Sequence, residues 1–304
     1  IAVVTAVPVL GIFGYLLLGE TNIGRRNLKA MNEARLQLPR TLAADEDSEI
    51  EILPVVPARH EHLFKVGQSI SHFRPLPGNR AELMIDSHAT IARMVADIDA
   101  ATHQVNLLFY IWLPDTSGRM IADALKRACA RGVICRAMVD GLGSRSLMKS
   151  SLWPEMRDAG VKTAVALPLG NPLLRALRGR IDLRNHRKIL VIDGTVTYCG
   201  SQNCADPEFL VKAAYAPWVD AVMRFTGPIV RQNQFIFASD WMTFNEEDIT
   251  AYLQEPLAPP APGFTAQVVA SGPTVRPSAV PETFTALIYS AQRELFITTP
   301  YYVP

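Results

Sequence analysis

The sequence is poor in cysteine and has almost no net charge, and both features exclude classes of protein. Four cysteines occur in 304 residues and form no C-x-x-C pair, which excludes a disulfide scaffold and argues against a zinc site. We expect four free thiols in a reducing compartment. Lys and Arg total 30 against 29 Asp and Glu, a net charge of +1. No nucleic-acid partner is expected, because proteins that coat DNA or RNA usually carry a basic excess.

Charge is also absent from the first residues of the chain, 1–19. As a helix this stretch would be about 28 Å long, close to the thickness of a bilayer core. A buried core helix or a signal peptide is the alternative, but a core helix should carry a polar stripe, and only Thr5 and Tyr15 are polar here. The sequence therefore predicts a transmembrane helix over 1–19.

Basic residues follow this span. Arg25, Arg26, Lys29, Arg35 and Arg40 stand against only two acids before position 45. A basic cluster beside a membrane span marks its cytoplasmic side and can contact anionic lipid headgroups. We therefore expect a juxtamembrane linker over 20–74, with the rest of the chain facing the cytoplasm.

From about Pro75 the pattern alternates between helix and strand, which predicts an α/β fold with a largely buried sheet over 75–254. A helix is expected over 81–101 and another from Ser117 to Arg131, closed by Gly132. A third helix is expected between Ser151 and Gly160, and a fourth from Gly227 towards Trp241. The predicted strands are Val105–Trp112, Val133–Val139, Val161–Leu167, Lys188–Ile192, Thr195–Cys199 and Trp218–Phe225, with a tight turn at Asp193-Gly194.

Prolines 256, 259, 260 and 262 predict a linker over 255–263. After it the earlier pattern returns at an offset of 190 residues, which pairs Met94 with Phe284 and Val105 with Leu295. This repeat predicts that 264–304 is the start of a second, similar domain. The chain begins with Ile rather than Met and ends beside a strand-like run, Leu295–Thr299, so we expect a fragment truncated at both ends.

The strongest chemical signal is the run RNHRKILVIDG, residues 184–194. His186 and Lys188 stand two residues apart at the head of a predicted strand, so both side chains project from one face. Ser201 and Asn203 are again two apart and follow the next strand. An imidazole, an ammonium, a hydroxyl and a carboxamide brought together suit an anionic phosphodiester, with the imidazole able to attack phosphorus and no metal needed.

The complete pattern, H-x-K-x4-D-x6-G-S-x-N, resembles the HKD signature of the phospholipase D superfamily. Other stretches resemble the bacterial cardiolipin synthases: Pro77-Gly78-Asn79, Tyr110-Ile111-Trp112, Asp140-Gly141-Leu142-Gly143-Ser144, Trp218-Val219-Asp220 and Ser271-Gly272-Pro273. One departure is Ser201, since many cardiolipin synthases have Gly-Gly-x-Asn at this point. It leaves the acceptor lipid open.

The resemblance implies a phospholipase D-like mixed β-sheet flanked by helices, and two HKD motifs that share one active site. It implies that His186, in the first motif, becomes a phosphohistidine while Lys188 stabilises the phosphoryl charge and Ser201 and Asn203 bind the phosphate. Asp193 is expected to fix the turn geometry or to pair with a cation. For Asp220, after the motif, we expect a role in holding the tautomer of the His186 ring, with a surface salt bridge as the alternative. No metal or cofactor is implied.

The implied reaction converts two phosphatidylglycerols to cardiolipin and glycerol at the bacterial inner membrane. Two alternatives stay open: a membrane-tethered phospholipase D-type hydrolase, and a non-catalytic lipid-binding protein with a vestigial motif. If the repeat holds, the second histidine lies near position 376, so this chain alone should turn over negligibly unless two copies pair their motifs. The sequence does not disclose the oligomeric state.

Overall fold

A computed structural model describes residues 24–39, 56–169, 183–209, 217–255, 261–272, 276 and 278–298. The chain divides into two compact units. The first comprises Ile1–Pro39 and Gly78–Phe264, and the second comprises Arg40–Pro77 and Thr265–Pro304. The predicted 20–74 linker is therefore shared between the units, and it contains two helices, α1 and α2, whose bounds follow.

The first unit alternates strands and helices through most of its length. Its helices are α1 (Arg25–Gln37), α3 (Ser87–Asp99), α4 (Thr116–Ala130), α5 (Arg145–Lys149), α6 (Leu152–Asp158), α7 (Ile229–Phe244) and α8 (Ala251–Gln254). Its strands are β2 (Gln104–Phe109), β3 (Ile134–Asp140), β4 (Lys162–Ala166), β5 (Lys188–Ile192), β6 (Val196–Gly200) and β7 (Val222–Thr226). Two further strands, β1 (Leu76–Leu83) and β8 (Phe264–Ala266), cross the boundary between the units.

The strands form one mixed sheet in the order β4-β3-β2-β5-β6-β7-β1-β8. Strands β2, β3 and β4 are parallel, whereas β5 runs antiparallel to β2, and β6, β7 and β1 continue the antiparallel arrangement. The register sets Phe109 of β2 opposite Lys188 of β5. The predicted α/β class, with a mixed sheet flanked by helices, is confirmed.

Each face of the sheet is covered by helices. On one face α3 and α4 contribute Ile91, Ile98, Ile121 and Leu125 to a core that also includes Leu190 of β5. On the other face α7 packs against β2, β4, β5, β6 and β7. Central strands buried on both faces are expected to read as apolar runs, which explains the sequences VNLLF and ILVI.

Several predicted boundaries are confirmed. Asp193 and Gly194 both have positive φ, 50° and 63°, and the Thr195 N–H donates to the Ile192 carbonyl at 2.9 Å, which closes the tight turn between β5 and β6. Gly132 and Gly160 end α4 and α6 with positive φ, the conformation that glycine adopts without steric cost. Ser151 immediately precedes α6.

Three predicted elements are wrong in part. The helix expected over 81–101 begins only at Ser87, because Ala81–Leu83 belong to β1 and pair with β7, and Asp86 caps the helix by accepting from the Ala89 N–H at 2.7 Å. Helix α4 is capped by Asp115 rather than by Ser117. Strand β7 begins at Val222, four residues later than expected.

The second unit contains the short 3-10 helix Ala58–His60, α2 (Glu61–Ser71) and α9 (Ala279–Tyr289), and α2 and α9 pack together. Helix α9 ends where the 190-residue offset places the end of α3. The strand predicted from Leu295 does not form over 295–298, where no neighbouring strand pairs with the described residues. Thr299 lies outside them.

None of the helices formed by the described residues has both the length and the apolar character needed to cross a bilayer. The predicted span, 1–19, lies outside the part of the chain that the structure describes, and so do prolines 256, 259 and 260 of the predicted linker. Both therefore stay predictions.

Candidate functional site

The motif residues lie at one end of the sheet. Strands β2 and β3 end there, β5 begins there, β6 ends there and β7 begins there, because β5 is antiparallel to β2 and the next two strands alternate in direction. This end carries Lys188, the first residue of β5, and His186, two residues before it, together with Ser201 and Asn203 after β6. The fold therefore brings these four side chains to the same end of one sheet, as the spacing predicts.

His186 and Lys188 are in direct contact. The Lys188 Nζ lies 3.1 Å from Nδ1 of His186 and donates to the His186 carbonyl oxygen at 2.8 Å. Partial burial, and then the neighbouring Lys188 charge, lowers the pKa of His186, while the charge of Asp140 opposes the shift. Since the ordinary pKa of histidine is about 6.5, the imidazole is neutral at pH 7.

The pKa of Lys188 lies close to physiological pH. Burial lowers the pKa of Lys188 to about 8, and the negative charge of Asp220 opposes that shift. At pH 7 most of the side chain is the ammonium form, although a modest rise in pH deprotonates it. The pair thus joins a neutral imidazole to an ammonium.

The aromatic ring of Tyr110 covers this pair. Its centroid lies 4.4 Å from that of the His186 ring, with the two planes inclined at 46°, and the Lys188 Nζ lies 5.6 Å from the Tyr110 ring centroid. Tyr110 is not among the site residues predicted from the sequence. Its position directly after an apolar strand that ends at the site was the available signal.

Ser201 and Asp220 form a second pair. The Ser201 hydroxyl donates to Oδ1 of Asp220 at 2.7 Å and accepts from the Ala221 N–H at 3.0 Å. Asp220 was predicted to hold the His186 ring, and the structure places it against Ser201 instead. Among the described contacts none is a hydrogen bond between Asp220 and His186, so a role towards that ring stays a prediction.

Asn203 is tied to the strand that carries Tyr110. Its Oδ1 accepts from the Ile111 N–H at 3.2 Å. With the oxygen occupied, the amide Nδ2 is the group that Asn203 offers to a ligand.

A buried ion pair supports the start of the motif. Arg184 donates from Nε to both carboxylate oxygens of Asp140, at 2.9 and 3.0 Å, and the two side chains are 4% and 0% exposed. The same carboxylate accepts from the Asn185 N–H at 3.1 Å and from the Leu142 N–H at 2.8 Å. Asp140 therefore fixes the backbone immediately before His186.

A second carboxylate binds the two residues that flank His186. Asp240 on α7 accepts from Asn185 Nδ2 at 2.9 Å and from Arg187 Nη1 at 2.6 Å. The two residues that flank His186 are thus both anchored to α7.

Asp193, the last residue of the HKD pattern, lies at the opposite end of β5. Its carboxylate accepts from the backbone N–H groups of Thr102, His103 and Gln104 at 2.8, 2.9 and 2.8 Å, and these hydrogen bonds outweigh burial and lower its pKa. Five strand residues at about 3.3 Å each separate this carboxylate from the His186 end. The structure therefore does not bring Asp193 to the other four side chains.

Within the described residues, no group of three or more His, Cys, Asp or Glu side chains is arranged to hold a metal ion. The four cysteines are free, as expected. Lys188, Ser201 and Asn203 supply nitrogen and hydroxyl donors at the end of the sheet that carries the neutral imidazole, and such donors suit an anionic ligand.

Comparison with known proteins identifies the family of the part of the chain that contains the motif. The family model described as cardiolipin synthase, PLD-like domain, matches residues 94–241, which include the complete motif. Residues 94–241 thus form a phospholipase D-like domain of the cardiolipin synthase family.

Individual relatives agree over a longer stretch. Cardiolipin synthase A of Erwinia tasmaniensis is 32% identical over 325 residues, which cover 99% of this chain and 63% of that protein. Cardiolipin synthase A of Escherichia coli is 32% identical over 326 residues, with the same coverage. The chain thus spans about 63% of the length of these curated relatives.

Among solved structures, NucT from Helicobacter pylori is similar over 55% of this chain and 98% of that one, with a TM-score of 0.43 and 14% sequence identity.

Proposed function

We propose that the protein transfers a phosphatidyl group between phosphatidylglycerols through a phosphohistidine at His186. The observation that carries the proposal is the meeting of His186, Lys188, Ser201 and Asn203 at one end of the sheet. The family of residues 94–241 and the cardiolipin synthase A relatives support the choice of lipid phosphodiesters as substrates.

The reaction has two steps. A ring nitrogen of His186 bonds to the phosphorus of one phosphatidylglycerol, the bond from phosphorus to the glycerol oxygen breaks, and that oxygen takes up a proton as glycerol leaves. The hydroxyl of a second phosphatidylglycerol then attacks the same phosphorus and loses its proton. The phosphorus–nitrogen bond breaks, which releases cardiolipin and restores the imidazole.

The contact between Lys188 and His186 sets a condition for the first step. When the ammonium donates to Nδ1, the proton of the neutral imidazole is on Nε2, and neither ring nitrogen has a free lone pair. The anionic phosphate attracts the ammonium of Lys188. When the ammonium leaves Nδ1, that ring nitrogen is free for attack. Lys188 then stabilises the charge on the phosphoryl oxygens.

Ser201 and Asn203 hold the same phosphate. The hydroxyl of Ser201 donates to Asp220 in the unliganded site, so it reorients to donate to a phosphoryl oxygen, while Asn203 donates from Nδ2. Asp220 keeps Lys188 charged by its proximity. Asp193 acts at a distance from the chemistry, by holding β5 against the segment before β2.

The membrane location is part of the proposal. The uncharged residues 1–19 anchor the chain in the bacterial inner membrane, and the first unit faces the cytoplasm. Helix α1, which begins six residues later, presents Arg26, Lys29 and Arg35 beside that anchor, where anionic headgroups attract cations. An anchored site meets lipid substrates at high effective concentration.

Protonation of the leaving glycerol is assigned to a second histidine, which the family resemblance places in another HKD motif. An activated substrate separates the two halves of the chemistry, because a p-nitrophenolate leaving group departs without a proton. With phosphatidyl-p-nitrophenol in vesicles, we expect this 304-residue chain to release a burst of about one p-nitrophenolate per chain, and with phosphatidylglycerol negligible turnover.

Two alanine variants test the assignment of His186. His186→Ala should abolish the burst, whereas His103→Ala, an exposed histidine at the opposite end of the sheet, should retain it. Adding phosphatidylglycerol after the burst should give cardiolipin slowly, because the acceptor hydroxyl must lose its proton without help from the second histidine. Phosphatidic acid as the main product would favour the hydrolase, and lipid binding without any burst would favour a non-catalytic protein. A burst that survives His186→Ala would contradict the proposal.

A further inference from the structure

We propose that Tyr110 is a positioning residue for the transfer reaction: its ring fixes the orientation of the His186 imidazole and covers one side of the His186–Lys188 pair. The inference rests on the proposed function for its consequence in catalysis, but the ring contact itself is a property of the folded chain. Two rings with centroids 4.4 Å apart and inclined planes are in contact, at the short limit of favourable aromatic separations. The ammonium at 5.6 Å lies within reach of a cation–π interaction.

The backbone that carries Tyr110 is held on two sides. The Ser144 hydroxyl donates to the Tyr110 carbonyl oxygen at 3.0 Å and accepts from the Trp112 N–H at 2.9 Å. A Cβ added to Gly143 would lie 2.3 Å from the Tyr110 carbonyl oxygen and 3.1 Å from its ring, so only glycine permits this approach. The loop after β3 therefore fixes the position of the Tyr110 backbone.

The phosphate-binding side of the site holds the same segment. Asn203 accepts from Ile111, the residue after Tyr110, at 3.2 Å. Tyr110 is thus placed by the loop after β3 and by the loop after β6, while its ring touches side chains at the start of β5. A ring fixed in this way restrains an imidazole that is otherwise exposed.

The charged groups around the ring come from four elements. Lys188 on β5 and Asp140 at the end of β3 act on His186, Arg184 before β5 acts with Asp140 on Tyr110, and Asp220 before β7 acts on Lys188. All of them remain when Tyr110 is replaced by an uncharged residue. A change in the titration of His186 in such a variant therefore reports the loss of the ring, which excludes water from one side of the imidazole.

The contact is made by the aromatic ring, so the phenylalanine and leucine variants should behave differently. Tyr110→Phe keeps the ring and should leave the burst rate constant within about twofold of the parent. Tyr110→Leu removes the ring, and we expect the burst rate constant to fall about tenfold and the pKa of His186 to rise towards its ordinary value. Titration by NMR of labelled histidine, assigned with His186→Ala, measures that pKa without any turnover.

Two controls keep the outcome clear. Tyr289→Leu removes a tyrosine that is 84% exposed on α9, and it should change neither quantity. Tyr110→Met fills similar space with a flexible chain and replaces the leucine variant if that one fails to fold. An unchanged His186 pKa and an unchanged burst in a folded variant without the ring would overturn the inference, as would a loss in Tyr110→Phe equal to that in Tyr110→Leu. Absence of a burst in the parent chain would instead count against the proposed function, and the titration would still decide the role of the ring.

Discussion

Replacing Arg184 by methionine tests how the site is held together. The change removes one partner of an ion pair whose side chains are 4% and 0% exposed, and it leaves the Asp140 carboxylate buried without its counter-charge. Breaking a buried pair in this way costs about 3–5 kcal/mol. For a unit of this size we expect the melting temperature to fall by about 6–20 °C.

The chain supplies a matched control. Arg127 also makes two hydrogen bonds to a carboxylate, from Nε and Nη2 to the two oxygens of Asp99 at 2.9 and 2.8 Å, but these side chains are 50% and 37% exposed. Water screens the charges of such a pair, so Arg127→Met should cost less than about 1 kcal/mol. Thermal denaturation followed by circular dichroism measures both variants under the same conditions.

The two variants should also differ in chemistry. Asp140 accepts from the N–H of Asn185, the residue before His186, so a carboxylate that shifts to find water displaces the imidazole. We expect Arg184→Met to slow the p-nitrophenolate burst and Arg127→Met to leave it unchanged. Equal loss of stability in the two variants would refute the argument from burial.

Three further predictions concern carboxylates. Asp220→Asn should lower the pKa of Lys188 below about 8, because the negative charge that favours the ammonium is lost, so the alkaline fall of the burst rate in a pH profile should begin at lower pH. Asp193→Ala removes the charged acceptor of three backbone N–H groups and should destabilise the fold by about 1–3 kcal/mol in urea unfolding. The stabilisation from Asp193 is complete above pH of about 4 and is lost as pH falls through its lowered pKa. A burst rate within about threefold of the parent would separate this role from a catalytic one. Glu247 has a pKa of about 2, because hydrogen bonds and charge from Arg136 and Lys162 outweigh the effect of burial. Glu247→Gln should therefore lower stability at pH 7 by about 1–3 kcal/mol and should cost progressively less as pH falls from about 4 towards 2. A pH-independent difference between the variant and the parent would contradict this account.

Elements defined by local chemistry could be predicted from the sequence. The turn at Asp193-Gly194 is an example, since an Asp-Gly pair between apolar runs favours the positive φ that both residues adopt. The close approach of His186 to Lys188 also follows from a spacing of two at the head of a strand. In both cases neighbours along the chain determine the geometry.

Elements defined by distant contacts could not be predicted. Leu83 fits the helical spacing of 81–101, yet it ends β1 because β7 pairs with it, and its side chain is 66% exposed. A helix and a strand are distinguished here by a partner more than a hundred residues away along the chain. The Asp86 cap was the local signal that could have corrected the boundary.

The contacts of Asp220 and Tyr110 needed the sheet order as well. Asp220 meets Ser201 because β6 and β7 are neighbours, and Tyr110 meets His186 because β2 and β5 are neighbours. Neither pairing follows from spacing within a single segment. The sequence predicts the groups at the site, and the strand order determines which of them touch.

The hydrogen bonds of Asp193 have a consequence for the length of the motif. They fasten the far end of β5 to the backbone before β2, and the intervening strand carries that alignment to the end where Phe109 faces Lys188. Removing or adding one residue between Lys188 and Asp193 would turn the ammonium to the opposite face of the sheet. The four residues between Lys188 and Asp193 therefore set the length of the strand, and the aspartate at its far end determines which face of the sheet carries the Lys188 side chain.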